Sequence, residues 1–185
     1  VSNISREAGV ARQTVDSYLS VLVDTLIAFR LPAWQPRAKV RERAHPKLYF
    51  FDCGVVRALT GRLGIPPHEV EKGKLLETYL LHEIRAAQQY LGFGGELSFW
   101  QSERRAEVDL VWSRGDVHIG VEIKSGPGWP AGGGRAIHAL LTDGVLTRGI
   151  GVYCGQQNLK DGRLDIFPLP VFLDLLWRGE IFASS

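Results

Sequence analysis

Glu107-Val108-Asp109-Leu110-Val111-Trp112 and Val121-Glu122-Ile123-Lys124 are the two stretches of sequence that decide the fold. Both alternate apolar and polar residues, which is the pattern of half-buried strands. Alternation predicts one shared apolar face for each strand, formed by Val108, Leu110 and Trp112 in the first and by Ile119, Val121 and Ile123 in the second. The acidic residues and the lysine are then expected on the opposite face.

A two-residue turn at Gly115-Asp116 is predicted to join these strands as a hairpin, because glycine supplies the positive φ that such turns need. Counting back from the turn places Asp109 directly opposite Glu122, and Glu107 opposite Lys124. Directly opposed residues have Cβ atoms about 4.5–5.5 Å apart, a distance at which like charges repel. Two carboxylates held together beside a lysine therefore suggest a divalent-cation site.

Two alternatives to this site stay open. A loop of odd length would shift the pairing by one residue and put Asp109 and Glu122 on different faces of the sheet. Glu107 and Lys124 would also suffice as a surface ion pair, with the other two carboxylates solvated. Exposed pairs of this kind contribute about 0–1 kcal/mol.

A third carboxylate, Glu77, lies in a segment that is predicted to form one helix roughly from Glu69 to Tyr90. Residues three, four and seven positions after Glu77 share its helical face, and they are Leu80, Leu81 and Ile84. An unpartnered carboxylate on an apolar face is costly. Glu77 therefore either is satisfied by an arginine or by backbone donors, or completes an acidic cluster.

These residues resemble the PD-(D/E)xK nuclease superfamily, whose restriction-endonuclease-like fold carries a helical Glu, a strand Asp and a strand Glu-x-Lys. The matching positions are Glu77, Asp109, Glu122 and Lys124. The resemblance implies that Asp109 and Glu122 hold Mg²⁺, with Mn²⁺ as a substitute, and that Lys124 positions or activates the attacking water. Hard oxygen ligands suit Mg²⁺, which keeps several waters. Val108 departs from the family pattern, because many members have proline before the aspartate.

Composition sets the class of protein. The chain has 185 residues, of which 45% are hydrophobic and 23% charged, so packed globular domains are expected. Cys53 and Cys154 lie far apart without metal-ligand spacing. No apolar run approaches the roughly 20 residues that span a bilayer, and a cytoplasmic location without membrane contact is expected. The net charge of +2 is too small to indicate nucleic-acid binding by itself.

Residues 1–58 are predicted to form a separate winged helix-turn-helix domain. A short helix, a turn at Gly9 and a second helix from about Arg12 would share one internal face, formed by Ala8, Val10, Val15, Leu19 and Leu22. Two strands follow, and they flank a basic loop that continues to Lys47. In a DNA-binding version the second helix enters the major groove and the basic wing contacts phosphates. The expected DNA-binding residues are Arg12, Gln13, Thr14, Ser17, Arg37, Lys39, Arg41 and Arg43. Many winged helices instead bind protein or pack on a neighbouring domain.

The order of motifs resembles the C-terminal part of a large group of bacterial and archaeal AAA+ family ATPases. Three short motifs carry much of this resemblance, namely Gly73-Lys-Leu-Leu-Glu77, Glu107-Val-Asp109 and Glu122-Ile-Lys124-Ser125. The chain contains no Met and no GxxxxGK[ST] phosphate loop. We therefore expect the C-terminal portion of a longer protein, in which the N-terminal ATPase module of the same chain is a partner.

Residues 59–185 are expected to form the nuclease-like α/β domain, with a mixed sheet flanked by helices. The glycine-rich segment 126–134 is interpreted as a flexible connector. Trp34 and Trp129 are expected in loops, where they could contact a partner, and Trp100, Trp112 and Trp177 are expected in the core. Three functions stay open. They are a Mg²⁺-dependent DNA nuclease, a catalytically inactive nuclease fold that binds DNA or a protein partner, and a winged-helix regulatory module.

Overall fold

The fold is a mixed α/β architecture, and the computed structural model describes residues 2–35, 45–103 and 106–182. The helices in these ranges are α1 (Ser2–Ala8), α2 (Arg12–Asp24), α3 (Cys53–Leu59), α4 (Glu69–Leu91), α5 (Arg135–Thr142) and α6 (Leu169–Trp177). The strands are β1 (Ala28–Leu31), β2 (Lys47–Phe50), β3 (Glu96–Gln101), β4 (Glu107–Arg114), β5 (Val117–Lys124), β6 (Arg148–Tyr153), β7 (Leu159–Asp161) and β8 (Leu164–Pro168). None of the helices in the described ranges has the length and apolarity needed to cross a membrane.

The central sheet has six strands in the order β3-β4-β5-β6-β8-β7. β3, β4 and β5 are antiparallel neighbours, β5, β6 and β8 run parallel, and β7 closes the edge antiparallel to β8. The crossover from β5 to the parallel β6 contains α5, as such a connection requires. The predicted mixed sheet flanked by helices is therefore confirmed.

Helices cover both faces of this sheet. α4 and α6 bury one core against it, and the fully buried helical residues there include Leu80, Leu81, Ile84, Phe172 and Leu176. α5 buries a second core on the other face, formed by Ile137, Leu140 and Leu141 together with Leu146, Leu164 and Ile166. The apolar stripe predicted for α4 is thus the side that packs on the sheet.

The bounds of α4 follow from its caps. His68 precedes the first turn, and its Nδ1 accepts the Glu71 backbone N–H at 3.3 Å. Gly92 ends the helix in the left-handed conformation, at φ 67°, where glycine has no steric penalty.

The β4–β5 hairpin has the predicted turn. Arg114 pairs with Val117, which leaves Gly115-Asp116 as the two turn residues, and Gly115 has φ 57°. The register continues to the pair Leu110 and Val121, as counted from the sequence. The pairing ends there, one residue before Asp109 and Glu122.

A bulge interrupts β4 on its other side. β3 advances two residues, from Ser98 to Trp100, while β4 advances three, from Val111 to Val108. Two β4 residues therefore face one β3 residue, which defines a β-bulge. One of these two residues is Asp109, so the irregularity lies at the predicted site.

The bulge reverses the side-chain alternation at the start of β4. Val108 is buried with Ile137 and Leu164 on the α5 side, whereas Leu110 and Trp112 are buried on the α4 side. The prediction that Val108 shares a face with Leu110 and Trp112 is therefore wrong. The error comes from the extra residue in β4, because an inserted residue shifts the side chains on its N-terminal side to the other face of the sheet.

The N-terminal elements follow the predicted order of helix, turn, helix and two strands, and β1 pairs antiparallel with β2. The predicted internal face is only partly buried: Val15 is 6% exposed, but Val10 is 43% exposed and Ala8 is exposed. α1 has seven residues and is too short to cover both ends of that face. Arg37, Lys39, Arg41 and Arg43 lie outside the described residues.

The tryptophans follow their predicted environments except for Trp177. Trp129 packs against the α5-side core, and a Cβ on Gly151 would lie 2.6 Å from its ring, so the glycine-rich segment rests on the sheet. Trp34 contacts His118, with ring centroids 5.1 Å apart. Trp177 is 41% exposed, and its Nε1 donates to Glu83 at the surface. Trp34 and Trp129 lie in loops, as predicted, and both rings pack within the protein. The core position predicted for Trp177 is wrong.

Candidate functional site

The strand carboxylates meet at the end of the β4–β5 ladder, opposite its turn. After Leu110 the backbones stop pairing, and the Asp109 side chain takes over: its Oδ2 accepts the Ile123 N–H at 2.8 Å. This hydrogen bond fixes the Asp109 carboxylate next to the residue that precedes Ile123, which is Glu122. The bulge and this contact together explain why Asp109 is directed into the site.

The two carboxylates destabilise one another in their ionised forms. Burial, the charge of Glu122 and then the charge of Glu77 raise the pKa of Asp109 to about 7, against the opposing effects of the Ile123 N–H and Lys124. Burial also raises the pKa of Glu122, although Lys124 opposes it. Acidic groups that share a desolvated site hold protons more tightly unless a cation neutralises them.

Glu122 has one satisfied oxygen and one unsatisfied oxygen. It is 9% exposed, and its Oε1 accepts from Lys124 Nζ at 2.5 Å. Its Oε2 is buried and has no hydrogen-bond partner within the described part of the chain. A buried carboxylate oxygen without a partner is costly, and a cation is one kind of partner that would satisfy it.

Glu77 reaches the same region from α4. Its Oε1 accepts from Lys47 Nζ at 3.1 Å and from the Tyr49 hydroxyl. Glu77 is thus satisfied by a lysine and a tyrosine of β2, rather than by the arginine or backbone donors considered from the sequence. Its charge nevertheless acts on Asp109, whose pKa it helps to raise.

Lys47 has a different role from the one its position suggested. It begins β2, in the segment predicted as the strand after the basic loop, but instead of serving the basic wing it bridges Glu77 and Glu107. Burial alone would lower the pKa of Lys47, but the two glutamates outweigh burial and raise it. Glu107 therefore pairs with Lys47, and Lys124 pairs with Glu122, so the expected pair of Glu107 with Lys124 is not formed.

Sequence reasoning missed Lys47 and Tyr49 as residues of this region. The signal was present, because positions two apart on a strand share a face and both side chains end in hydrogen-bond donors. Burial, then the charge of Glu77 and then that of Asp109 raise the pKa of the Tyr49 hydroxyl well above its usual value. The hydroxyl therefore stays protonated and remains a hydrogen-bond donor.

The donor set fits Mg²⁺ through two carboxylates. No three His, Cys, Asp or Glu side chains among the described residues converge as a complete metal site. Mg²⁺ is usually bound through one or two protein carboxylates and keeps several waters. Asp109 and Glu122 match that requirement, and the unpartnered Oε2 of Glu122 is the atom that a cation would satisfy.

The predicted DNA-binding residues of α2 lie together at its N-terminal half. Arg12, Gln13, Thr14 and Ser17 are all exposed. Arg12 forms a loose pair with Asp16 at 3.9 Å. Their side chains are thus accessible, while the loop residues predicted to join them fall outside the described ranges.

Two family models match this chain, and both are described as domains of unknown function. DUF8612 matches residues 1–68, and DUF4143 matches residues 72–172. Uncharacterized proteins of Mycobacterium bovis and Mycobacterium tuberculosis are each 29% identical to the chain over 162 residues, which is 85% of this chain and 35% of theirs. The chain thus spans about a third of the length of these relatives. Because residues 72–172 are more than half of its 185 residues, the chain belongs to the DUF4143 family.

Proposed function

We propose that this protein is a Mg²⁺-dependent nuclease module that hydrolyses phosphodiester bonds in DNA. The observation that carries the proposal is the convergence of Asp109 and Glu122 at the end of a strand ladder, with Lys124 beside them. The two carboxylates have raised pKa values, and one buried oxygen lacks a partner. A solvated surface ion pair would show neither feature, because both arise from burial of the carboxylates.

Each residue of the site has a distinct role in this proposal. Asp109 and Glu122 hold the ion. When bound, Mg²⁺ polarises a phosphoryl oxygen and lowers the pKa of a bound water. Lys124 keeps a positive charge beside Glu122, where it stabilises negative charge that develops on the phosphate. Glu77, held by Lys47 and Tyr49, adds to the negative potential at Asp109.

The order of elements supports a restriction-endonuclease-like fold for this domain. A helix with Glu77 is followed by an antiparallel hairpin with Asp109 and Glu122-Ile-Lys124, and then by a crossover helix and a parallel strand. Residues 1–58 are proposed to be a winged helix that contacts DNA through the exposed start of α2. The greater length of the mycobacterial relatives is compatible with an additional ATPase module in the same chain.

Calorimetric titration with Mn²⁺ and Mg²⁺ tests the metal site. We expect wild type to bind one ion and Asp109→Asn to lose that binding. Asp116→Asn is the matched control, because it removes an exposed aspartate from the turn of the same hairpin and should bind normally. If Asp109→Asn binds as tightly as wild type, the carboxylates are not the ligands and the proposal fails.

Cleavage is tested separately with single-stranded and duplex DNA. We expect metal-dependent cleavage by wild type and by Asp116→Asn, and none by Asp109→Asn or Lys124→Ala. Equal cleavage by wild type and Asp109→Asn would refute the catalytic assignment.

A nuclease fold that binds DNA or a protein partner without cleavage is the second candidate. One observation favours it: Lys124 Nζ already occupies one oxygen of Glu122 at 2.5 Å, as in a closed structural ion pair. Metal and DNA binding without cleavage of any of these substrates would establish this candidate over the first.

A further inference from the structure

A cavity of about 360 Å³ opens beside Glu122 on the α5 side of the sheet. One wall carries Glu107, Glu122 and Lys124. The other is formed by Gly132–Gly134 and Arg135, where the glycine-rich segment leads into α5. The two walls differ in charge, and this difference defines the ligand that the cavity fits.

The α5 wall is electropositive. Gly134 is the N-cap residue of α5, so no side chain accepts the first N–H groups, and the first turn contains no acidic residue. The N-terminus of a helix carries about half a positive charge on such N–H groups. Anions bind readily at this kind of position.

Arg135 adds a full charge to this wall. Its side chain is exposed, and it has no ion-pair or hydrogen-bond partner among the described residues. The guanidinium lies against Gly132, where a Cβ would collide with it. Gly132 has φ 75°, a conformation that favours glycine.

The opposite wall supplies an independent sign of a ligand. Glu122 is nine-tenths buried, lines the cavity, and leaves its Oε2 without a partner in the described ranges. Lys124 balances one oxygen of this carboxylate, but the unpartnered Oε2 disfavours an anion bound alone. A phosphate together with a divalent cation satisfies both walls, because the cation lies on the carboxylate and the phosphate faces the arginine.

We propose that this cavity binds a phosphodiester group of a nucleic-acid strand, with the N-terminal N–H groups of α5 and the Arg135 guanidinium on its oxygens. This inference rests on the proposed function, since the cation at Glu122 is that of the nuclease site. It assigns to the glycine-rich segment and Arg135 the binding of the phosphate that lies next to the ion. Arginine suits this role because its planar fork matches two phosphate oxygens.

The test is a titration of a fluorescein-labelled single-stranded DNA oligonucleotide into wild type, Arg135→Ala and Arg135→Lys in the presence of Ca²⁺. Ca²⁺ takes the same oxygen ligands as Mg²⁺. We expect Arg135→Ala to weaken binding about 10-fold to 100-fold, the range for hydrogen bonds to charged groups. Arg135→Lys should recover part of the loss. Mn²⁺ affinity in the absence of DNA should be unchanged in both variants.

Arg178→Ala is the matched control, because Arg178 is also an exposed arginine and pairs with Asp174 on the distant α6 at 2.9 Å. Its oligonucleotide affinity should equal that of wild type. Equal affinities of wild type and Arg135→Ala would overturn the inference while leaving the metal site intact.

Failure of the proposed function has a different signature, which is that wild type binds no Mn²⁺. The oligonucleotide titration without metal then decides the inference. Weaker binding by Arg135→Ala than by wild type and Arg178→Ala would support the phosphate site, and equal binding would overturn it. Inorganic phosphate is then added as a competitor. If millimolar phosphate displaces the oligonucleotide, the cavity binds a phosphate group alone, which overturns the proposed site for a strand. If it does not, the site for a strand is supported.

Discussion

Replacing Asp109 by asparagine should stabilise the metal-free protein, and by an amount that depends on pH. Asparagine has nearly the same volume and keeps a side-chain oxygen for the Ile123 N–H, which Asp109 accepts at 2.8 Å. The substitution therefore removes the charge and retains the hydrogen bond. Asp109→Ala would lose both, and the unsatisfied N–H would mask the effect at a cost of about 1–3 kcal/mol.

The magnitude follows from the raised pKa of Asp109. Its carboxyl ionises near 3.8 in the unfolded chain and near 7 in the folded protein, so the folded state binds the proton more tightly. The contribution of Asp109 to wild-type stability should therefore be greatest below about pH 4 and should decrease as the pH rises to about 7. At 1.36 kcal/mol for each pKa unit, the ionised carboxylate costs up to about 4 kcal/mol at pH 8 and about 2 kcal/mol at pH 5.

Urea denaturation in EDTA at pH 5 and at pH 8 measures this difference. We expect Asp109→Asn to exceed wild type in free energy of unfolding at both pH values, with the larger gain at pH 8. Asp116→Asn should show no such gain, because that aspartate is exposed in the hairpin turn. Saturating Mn²⁺ should then stabilise wild type by about 2.7 kcal/mol at 100 times the dissociation constant, and leave Asp109→Asn unchanged. A variant no more stable than wild type at pH 8 would refute the reasoning, since the carboxylate would then carry no burial or repulsion cost.

Three further substitutions probe other parts of the molecule. Tyr49→Phe removes the hydroxyl that donates to Glu77, so urea denaturation should give a loss of about 1–3 kcal/mol in unfolding free energy. Gly95→Ala should cost about 2–4 kcal/mol in the same assay, because Gly95 has φ 85° and a Cβ there would collide with the buried Trp112 ring. Arg12→Ala should weaken DNA binding and reduce the slope of log affinity against log salt by about 1 in fluorescence anisotropy, if Arg12 contacts one phosphate.

Each of these substitutions has a matched control elsewhere in the chain. Tyr90→Phe changes a tyrosine that is 82% exposed, and Gly128→Ala adds a methyl group with nothing within 4 Å. Both should change stability by less than about 0.5 kcal/mol, as is usual for surface positions. Arg178→Ala should leave the salt slope unchanged. An unchanged slope in Arg12→Ala as well would remove α2 from the DNA-binding surface.

The elements that sequence predicted well are those set by local patterns. α4 was predicted to within one residue at its end, since its apolar stripe, His68 and Gly92 all act within a few residues. The hairpin register was predicted because a two-residue turn at Gly115-Asp116 fixes every pair that follows. Both predictions needed only the spacing of apolar residues within the element and the residues at its ends.

The bulge in β4 could not be predicted from the sequence. The alternation of apolar and polar residues looks the same whether or not one residue is inserted into the strand pairing. Val108 is apolar, and it is equally suited to either core, so hydrophobicity carries no signal of the side on which it packs. The shift depends on how β3 pairs with β4, which no segment of β4 encodes alone. The sequence therefore predicted the register as far as Leu110 and Val121, but not that the ladder ends just before Asp109 and Glu122.

The hydrogen-bond partners of Glu77 could not be predicted for a related reason. They also show where the chain cannot be cut without disturbing the acidic site. Lys47 and Tyr49 lie 30 and 28 residues from Glu77, so the three side chains meet only after β2 has docked near α4. Both belong to the segment that matches DUF8612, whereas Glu77 and Glu107 belong to the segment that matches DUF4143. A chain cut between residues 68 and 72 would leave two half-buried glutamates without the lysine that bridges them. Their uncompensated charge would act on Asp109 and alter the affinity of the acidic site for a cation, so the metal site should be studied with both segments present.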